Sequence, residues 1–286
     1  MPISHFIYQY KGNKRQETST ILPIINFNNK KNIVEPFCGT SAMSFAIWKE
    51  HKDKFNYYIN DIDEKLIEVY NLLKIKSIKE IEENIENVRL EYNNLNQVVK
   101  TKENICKKVA NEAQITYMKE NKYKSVYHYI FFNRYCVYGL LPPTLNRGIL
   151  NKYKLSPLQK EFIEFIKSPN VFISNNDYKI IYEEHKNNPK SIILLDPPYV
   201  STDKSFYQSN DAEIYSYFSN NSIKKNKAST YVIVDDNWIM RLVFKDCNIL
   251  SVYDKQYTNI SKHKNTNHII FSNRSSSSLE TYPSNP

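Results

Sequence analysis

Four residues that end an apolar run, Asp196-Pro197-Pro198-Tyr199, carry the clearest chemical signal in the sequence. Residues 192–195 before them are apolar isoleucines and leucines, a pattern that is typical of a buried parallel strand. Neither proline can donate a hydrogen bond to a strand ladder, so we expect the strand to end there. Asp196 is therefore predicted at the carboxyl end of a strand, where open α/β sheets bind their ligands.

The chemistry of this stretch suits a flat ring that carries an amino group. The Asp196 carboxylate and the Pro197 carbonyl can together accept both hydrogens of a planar exocyclic amine, and Tyr199 offers an aromatic face for stacking. These residue types predict a site for the amino group of a nucleobase. A turn in which Asp196 caps a following helix is the structural alternative, because Asp-Pro turns are common.

A second motif, at residues 32–44, indicates a strand, a tight turn and a helix that begins in small residues. Gly39 allows the backbone of the turn to approach a ligand closely, and Thr40 or Ser41 is available as the helix N-cap. The chain has only 4 glycines, so the position of this one is informative. A plain βαβ unit without a ligand is the alternative interpretation.

Another strand, at residues 57–63, ends in acidic residues at the position where nucleotide-binding folds hold ribose hydroxyls. We predict that Asp61 accepts from the ribose, whereas Asp63 caps the helix at residues 64–73. The turn at Gly39 lacks the G-x-G-x-x-G pattern. This disfavours a dinucleotide and favours a nucleoside without a pyrophosphate.

The elements that must position these residues alternate between strand and helix before about residue 73 and after about residue 172, which predicts one mainly parallel sheet. Residues 230–236 are a further strand, whose Asp235 we interpret as a structural acid. Residues 249–257 and 267–272 add an antiparallel hairpin. The charged segment between the two strand-containing parts is predicted to be helical, because it places apolar residues at helical spacing at Ile78, Ile81, Ile85, Val88 and Tyr92.

This pattern predicts a catalytic domain from residues 1–74 and 170–273, a mainly helical insert at 75–169 and a disordered tail at 274–286. In the insert, aromatic residues interleave with basic ones, and Arg147 either reaches into a groove of a nucleic acid or contacts phosphate alone. Residues 200–221 are expected to form a loop that orders over the ligand.

The charge balance agrees with a nucleic-acid partner. The formal net charge is +9, the pI is about 9.1, and 23 tyrosines supply aromatic surfaces. Phosphate neutralisation predicts binding that weakens steeply with salt. An AT-rich coding sequence would also enrich lysine, asparagine, isoleucine and tyrosine, and both explanations fit.

Several classes of protein are disfavoured by the sequence. The 4 cysteines are dispersed without C-x-x-C spacing, so neither a zinc site nor a disulfide framework is indicated, and no metal is expected. Neither a leader peptide nor an apolar run of membrane-spanning length is present. We therefore expect a protein of the cytoplasm or cell interior, with no membrane partner.

Taken in order, the motifs resemble those of the Dam-like, alpha-class DNA adenine-N6 amino-methyltransferases, over roughly residues 8–273. Residues 10–14 resemble the N-terminal cofactor segment of that family, and residues 35–39 resemble its S-adenosylmethionine loop. Residues 60–62 are similar to its ribose-binding acid, and Asp196 begins its catalytic DPPY motif. Residues 131–140 are similar to an Asn-Arg-Tyr stretch near the DNA, and residues 176–178 to the element that closes over the adenine of the cofactor.

The resemblance implies a Rossmann-like class I methyltransferase sheet with a helical target-recognition insert. The implied activity is site-specific, direct in-line transfer of the methyl of S-adenosylmethionine to the N6 amino group of a flipped-out adenine in duplex DNA. The implied partners are double-stranded DNA and a cognate restriction endonuclease of a restriction-modification pair.

The implied catalytic residues are Asp196, Pro197 and Tyr199. The implied cofactor contacts are Tyr10, Lys14, Phe37, Gly39, Asp61, Asp177 and Asp196. The DNA contacts expected from the insert and the terminal hairpin are Asn133, Arg134, Arg147, Lys262 and Lys264.

The sequence departs from the family pattern in its cofactor loop. Thr40-Ser41 stands where many relatives have a second glycine, which bears on cofactor affinity. A non-catalytic DNA-binding relative is therefore one alternative function. Amino-methyltransferases that act on RNA adenine, cytosine N4 or a protein glutamine are a second, since all these substrates present a planar amine. Asp at position 196, the large insert and the motif order favour DNA adenine.

Overall fold

The computed structural model describes residues 14–99, 116–135, 159–198, 211–257 and 264–275 of the 286-residue chain. Its strands are β1 Asn32–Glu35, β2 Asn56–Asn60, β3 Val171–Ser174, β4 Ser191–Leu195, β5 Ser229–Asp235, β6 Asn248–Tyr257 and β7 Lys264–Ser272. Its α-helices are α1 Thr18–Ile21, α2 Ala42–His51, α3 Glu64–Ile75, α4 Ile78–Val99, α5 Val126–Tyr135, α6 Lys160–Lys167, α7 Tyr178–Lys186, α8 Asp211–Asn220 and α9 Trp238–Val243. A further helical segment lies at 116–121. Across the described ranges, no helix is both long enough and apolar enough to cross a membrane.

Two compact units make up the chain, divided before residue 63 and after residue 169. The sheet unit holds residues 14–62 and the described residues from 170 onward. The helical unit holds the described residues between 63 and 169. The helical unit thus begins earlier than the boundary after residue 74 that the sequence suggests. The roles assigned to the two parts of the chain stay predictions.

In the sheet unit, the seven strands form one sheet in the order β3-β2-β1-β4-β5-β7-β6. The pairs from β3 to β5 are parallel, and β7 lies antiparallel to both β5 and β6. This is the mainly parallel class I methyltransferase sheet with a terminal antiparallel hairpin that the sequence predicts. Strands β1, β4 and β5 are buried along their whole length, which explains the apolar runs at residues 192–195 of β4 and 231–234 of β5.

One apolar cluster joins alternate positions of the central strands to helices α7, α8 and α9. Helix α8 corrects the loop predicted for residues 200–221. Its side chains Ile214, Tyr215 and Phe218 lie on one face and are buried in the cluster, so residues 211–220 gain more as a packed helix than as an exposed loop. Residues 199–210 lie outside the described ranges.

The helical unit has its own core. Helix α4 buries Ile81, Ile85, Val88 and Tyr92, which confirms the apolar face predicted from their spacing. The Tyr92 ring packs against two aromatic rings of α5, with ring centroids 5.6 Å from Phe131 and 6.0 Å from Phe132. Helix α3 packs on α6, where the Tyr70 and Phe162 ring centroids are 6.2 Å apart.

Candidate active site

Three neighbouring strands of the sheet unit bring their carboxyl ends to the same edge. Strand β1 pairs in parallel with β2 on one side and with β4 on the other, so the residues that follow all three strands are close in space. The sequence analysis predicted Asp61 and Asp196 at two of these ends, and the structure shows Glu35 at the third, as the last residue of β1. The tertiary fold therefore brings the two predicted acids to one edge together with Glu35.

The loop after β1 makes the tight turn that Gly39 predicts. Gly39 has φ 47°, and its N–H donates to Asp61 Oδ2 at 2.8 Å. The Cys38 N–H donates to the Asn60 carbonyl at 2.8 Å. Ser41 also lies in the left-handed region, with φ 50°, a conformation that glycine adopts at lower cost. Ser41 thus occupies the kind of backbone position that a second glycine favours.

The cap of helix α2 differs from the prediction. Ser41 is the N-cap residue, but its backbone is left-handed rather than extended, as is usual for a capping residue, and its side chain makes no capping hydrogen bond. The Glu35 carboxyl at the end of β1 accepts instead from the Ser44 N–H at 3.2 Å. The pKa of Glu35 is raised to about 8, mainly because the side chain is buried, and the charge of Asp196 raises it further. These effects outweigh the hydrogen bonds with Ser44, which lower the pKa.

Asn60 is a fully buried hub at this edge. Its Nδ2 donates to the carbonyls of Pro36 at 3.0 Å and Asn176 at 2.9 Å. Its Oδ1 accepts from Ser174 Oγ at 2.8 Å and from the Asn176 N–H at 2.9 Å. One amide therefore ties the loop after β1 to the loop after β3. The sequence analysis included Asn60 only as part of a motif, since no local pattern reveals a partner so far along the chain.

Of the two predictions for the acids after β2, the one for Asp63 is confirmed. Asp63 caps α3 by accepting from the N–H groups of Lys65 and Leu66, at 3.0 and 3.2 Å. Asp61 is half-buried and holds the Gly39 turn. The ribose contact expected of Asp61 stays a prediction, and its carboxylate lies beside the turn where that contact would form.

An aromatic surface follows at the same edge. The Phe37 ring stacks on Tyr178, with centroids 4.8 Å apart and planes at 28°. Asp177 is exposed and caps α7 by accepting from the Lys179 N–H at 2.8 Å. The sequence predicts Phe37 and Asp177 as cofactor contacts, and the Tyr178 ring that stacks on Phe37 directly follows Asp177 in the chain.

Asp196 follows β4 and is paired with a lysine. Its Oδ1 lies 2.7 Å from Lys14 Nζ, and Lys14 is almost fully buried. Pro197 is buried, and the Pro198 carbonyl accepts from Tyr215 Oη at 2.7 Å. The helix-capping interpretation of Asp196 gains no support, since the strand leads into Pro197 and Pro198 without helix.

For several predicted site residues, the structure describes either no position or no side chain. Tyr10, Tyr199, Arg147 and Lys262 are outside the described residues. Arg134 lies in α5 and Lys264 in β7, with their side chains undescribed. Asn133 is buried, and its amide donates to the Tyr129 carbonyl at 2.9 Å, which disfavours a direct contact with DNA. Sequence reasoning interpreted Asp235 as a structural acid but missed the buried cluster that it forms with His268 and Glu17.

Comparison with known proteins agrees with the geometry. The model of the family described as D12 class N6 adenine-specific DNA methyltransferase matches residues 10–269. No curated protein matches the sequence. The family match spans all the motifs that meet at the carboxyl edge of the sheet, together with the helical segments between β2 and β3. The chain therefore belongs to the D12 class of N6 adenine-specific DNA methyltransferases, enzymes that use S-adenosylmethionine to methylate adenine at specific sites in DNA.

Proposed function

We propose that the edge formed by the ends of β1, β2 and β4 is the catalytic site, with Asp196 and Pro197 receiving the adenine amine. The observation that carries this proposal is the position of Asp196. It follows a buried central strand next to the glycine turn, and its carboxylate is held by Lys14 at 2.7 Å. We propose the assignment residue by residue, on the family membership and this arrangement together.

The residues at this edge fit S-adenosylmethionine. Asp61 provides a carboxylate for ribose hydroxyls beside the turn at Gly39, and Phe37 provides an aromatic face for the adenine ring. The carboxylates of Asp61 and Asp196 give the site a negative character that suits a cationic ligand. Lys14, Asp177 and Tyr10 complete the proposed set of contacts.

When bound, S-adenosylmethionine supplies an electrophilic methyl group. The chain itself has to orient the acceptor amine, whose lone pair is conjugated with the ring and is weakly nucleophilic. The Asp196 carboxylate and the Pro197 carbonyl accept its two hydrogens and free the lone pair for in-line attack. The nitrogen would accept the methyl group and leave the cofactor as a neutral thioether, and the proton that the nitrogen loses would pass to the Asp196 carboxylate and from there to water.

No covalent intermediate on the protein is part of the proposed mechanism. Cys38, the cysteine at this edge, is buried, and burial raises the pKa of its thiol, so that it stays protonated at neutral pH. Orientation and electrostatic preorganisation then provide most of the acceleration.

We further propose that the target adenine leaves the duplex before transfer. An amino group inside a base-paired stack cannot reach a site at the end of a strand, and flipping costs a few kcal/mol, of which Tyr199 stacking returns a part. We also infer that the enzyme binds double-stranded DNA and that it forms a restriction-modification pair with a restriction endonuclease.

The proposal is tested by transfer of labelled methyl from S-adenosylmethionine to unmethylated duplex DNA, followed by digestion to nucleosides. We expect labelled N6-methyladenine from the wild-type enzyme and none from Asp196→Ala. Asp236→Asn serves as the matched control, since Asp236 forms its ion pair with Arg241 and not with Lys14. Near-normal turnover by Asp196→Ala would refute the catalytic assignment. Label on cytosine, RNA or protein instead would favour amino-methyltransferase activity toward that substrate.

A further inference from the structure

A buried polar cluster in the sheet unit surrounds Glu17, which lies at the end of the turn that carries Lys14. The Glu17 side chain is 5 % exposed and accepts from Tyr253 Oη at 2.7 Å. His268 Nδ1 lies 2.7 Å from the same carboxylate oxygen, and Lys255 Nζ donates to the other oxygen. Three groups from strands β6 and β7 therefore hold one carboxylate from the N-terminal part of the sheet unit.

His268 connects this carboxylate to a second one. It is fully buried, and its Nε2 lies 3.1 Å from Asp235 Oδ1, its partner in the β5–β7 register. One imidazole ring therefore lies between two carboxylates, those of Glu17 and Asp235.

Glu17 is held as an anion by its surroundings. Burial alone would raise its pKa, but the hydrogen bond with His268 and the charges of Lys14 and Lys255 outweigh burial and lower the pKa. A buried carboxylate of this kind is strongly tied to its partners, since removing one of them leaves charge without compensation.

The same turn delivers Lys14 to Asp196. Lys14–Gln16 is a short 3-10 helix, and the Glu17 N–H donates to the Lys14 carbonyl at 2.8 Å. Lys14 is 4 % exposed and reaches Asp196 at 2.7 Å. Two ionic contacts thus start from one turn, one toward the end of β4 and the other toward the hairpin β6–β7.

We propose that Glu17 is a positioning residue, which anchors this turn on His268, Tyr253 and Lys255 so that the Lys14 ammonium stays on Asp196. The inference rests on the proposed catalytic role of Asp196. Glu17 and His268 do not touch the amine in this proposal. They act through Lys14, which sets the orientation of the carboxylate that receives it.

The first test needs no methylation activity. Lys14 is labelled with an amine-acylating reagent, and the rate of its modification is followed by mass spectrometry in the wild type, Glu17→Gln and Asp236→Asn. The charged hydrogen bonds lost in Glu17→Gln should let the turn open more often, so we expect Lys14 labelling to rise about tenfold. Asp236→Asn should match the wild type. An unchanged labelling rate in Glu17→Gln would overturn the proposal.

Kinetics then distinguish positioning from a contribution to stability alone. Single-turnover transfer rates are compared for Glu17→Gln, Lys14→Ala and the double variant, using protein shown to be folded by its thermal transition. If Glu17 acts through Lys14, the double variant should be no slower than Lys14→Ala. Losses that multiply would refute the proposal. In Asp236→Asn combined with Lys14→Ala, the two effects should simply multiply.

Two further variants keep the test decisive. If Glu17→Gln fails to fold, Tyr253→Phe removes one hydrogen bond to Glu17 with little change in shape, and a smaller rise in Lys14 labelling is expected. No rise in Tyr253→Phe would then count against the proposal. Asp196→Ala separates the catalytic role of Asp196 from the positioning role of Glu17. Retained methylation in Asp196→Ala would refute the catalytic role. The Lys14 labelling of Glu17→Gln would still show whether Glu17 holds the turn in place.

Discussion

The Lys14 ammonium and the Asp196 carboxylate form a 2.7 Å ion pair between the first described turn of the chain and the end of the central strand β4. Lys14 is almost fully buried, whereas the Asp196 side chain is 24 % exposed. The pair therefore leaves the carboxylate accessible to a ligand while fixing one of its oxygens. Such an arrangement suits an acceptor that has to be oriented before its substrate arrives.

Lys14→Met should lower the single-turnover rate of methyl transfer by about 10²-fold, because Asp196 then loses the charge that orients it. Lys14→Arg should retain part of the rate. The measurement uses saturating cofactor and DNA, so that weakened binding does not contribute. Lys186→Met removes a surface ion pair with Glu183 and should leave the rate unchanged. Equal rates for Lys14→Met and Lys186→Met would contradict the role of the pair.

Asp61 and Asp63 provide a matched pair of acids with different expected effects. Asp61→Ala should weaken S-adenosylmethionine binding by about tenfold or more, because it removes the acceptor for ribose and the hydrogen bond to Gly39. Asp63→Ala removes the cap of α3 and should lower the free energy of unfolding by about 1 kcal/mol while leaving cofactor binding intact. Calorimetric titration and urea unfolding measure the two quantities. A large loss of cofactor affinity in Asp63→Ala alone would reverse the assignment.

Ser41→Gly should stabilise the enzyme by about 1 kcal/mol, because glycine adopts the left-handed conformation of Ser41 without the Cβ clash. Ser44→Gly is the control, since Ser44 lies within helix α2, where glycine should cost about 0.5 kcal/mol. Urea unfolding of both variants gives the comparison. Destabilisation by Ser41→Gly would show that its side chain contributes more than its backbone conformation costs.

The buried Glu35 predicts a pH dependence of stability. Its pKa is raised by burial from 4.5 to about 8 in the folded protein, so the folded state keeps a proton that the unfolded state loses between these values. The contribution of Glu35 is therefore fully present below about pH 4.5 and is lost as the pH rises toward 8.

Glu35→Gln keeps an acceptor for the Ser44 N–H but cannot ionise. Relative to this variant, the wild type should lose stability between about pH 5 and pH 8, at a rate of up to about 1.4 kcal/mol per pH unit. Urea unfolding of both proteins at several pH values checks this difference. Parallel stability curves would mean that Glu35 does not bind the proton assigned to it.

Local sequence patterns were sufficient to predict those elements whose structure depends on neighbouring residues. The apolar run before Asp196 forms β4, Asp63 caps α3, and the spacing from Ile81 to Tyr92 gives the buried face of α4. In each case, the residues that form the element or its cap lie within a few positions of one another. The prediction of a loop at residues 200–221 was wrong at α8, because the apolar cluster that buries Phe218 comes from distant strands.

The sequence by itself determined the order of the motifs and the strands that lead to Asp61 and Asp196, and hence the class of chemistry. Those features depend on residue types and short spacings. Only the tertiary structure decided that Glu35 replaces Ser41 as the cap of α2 and that Asn60 joins two loops. The same holds for Glu17, which meets His268 from the far end of the sequence. These contacts arise from burial and strand pairing between distant segments, and polar groups placed there must find partners that no local pattern specifies.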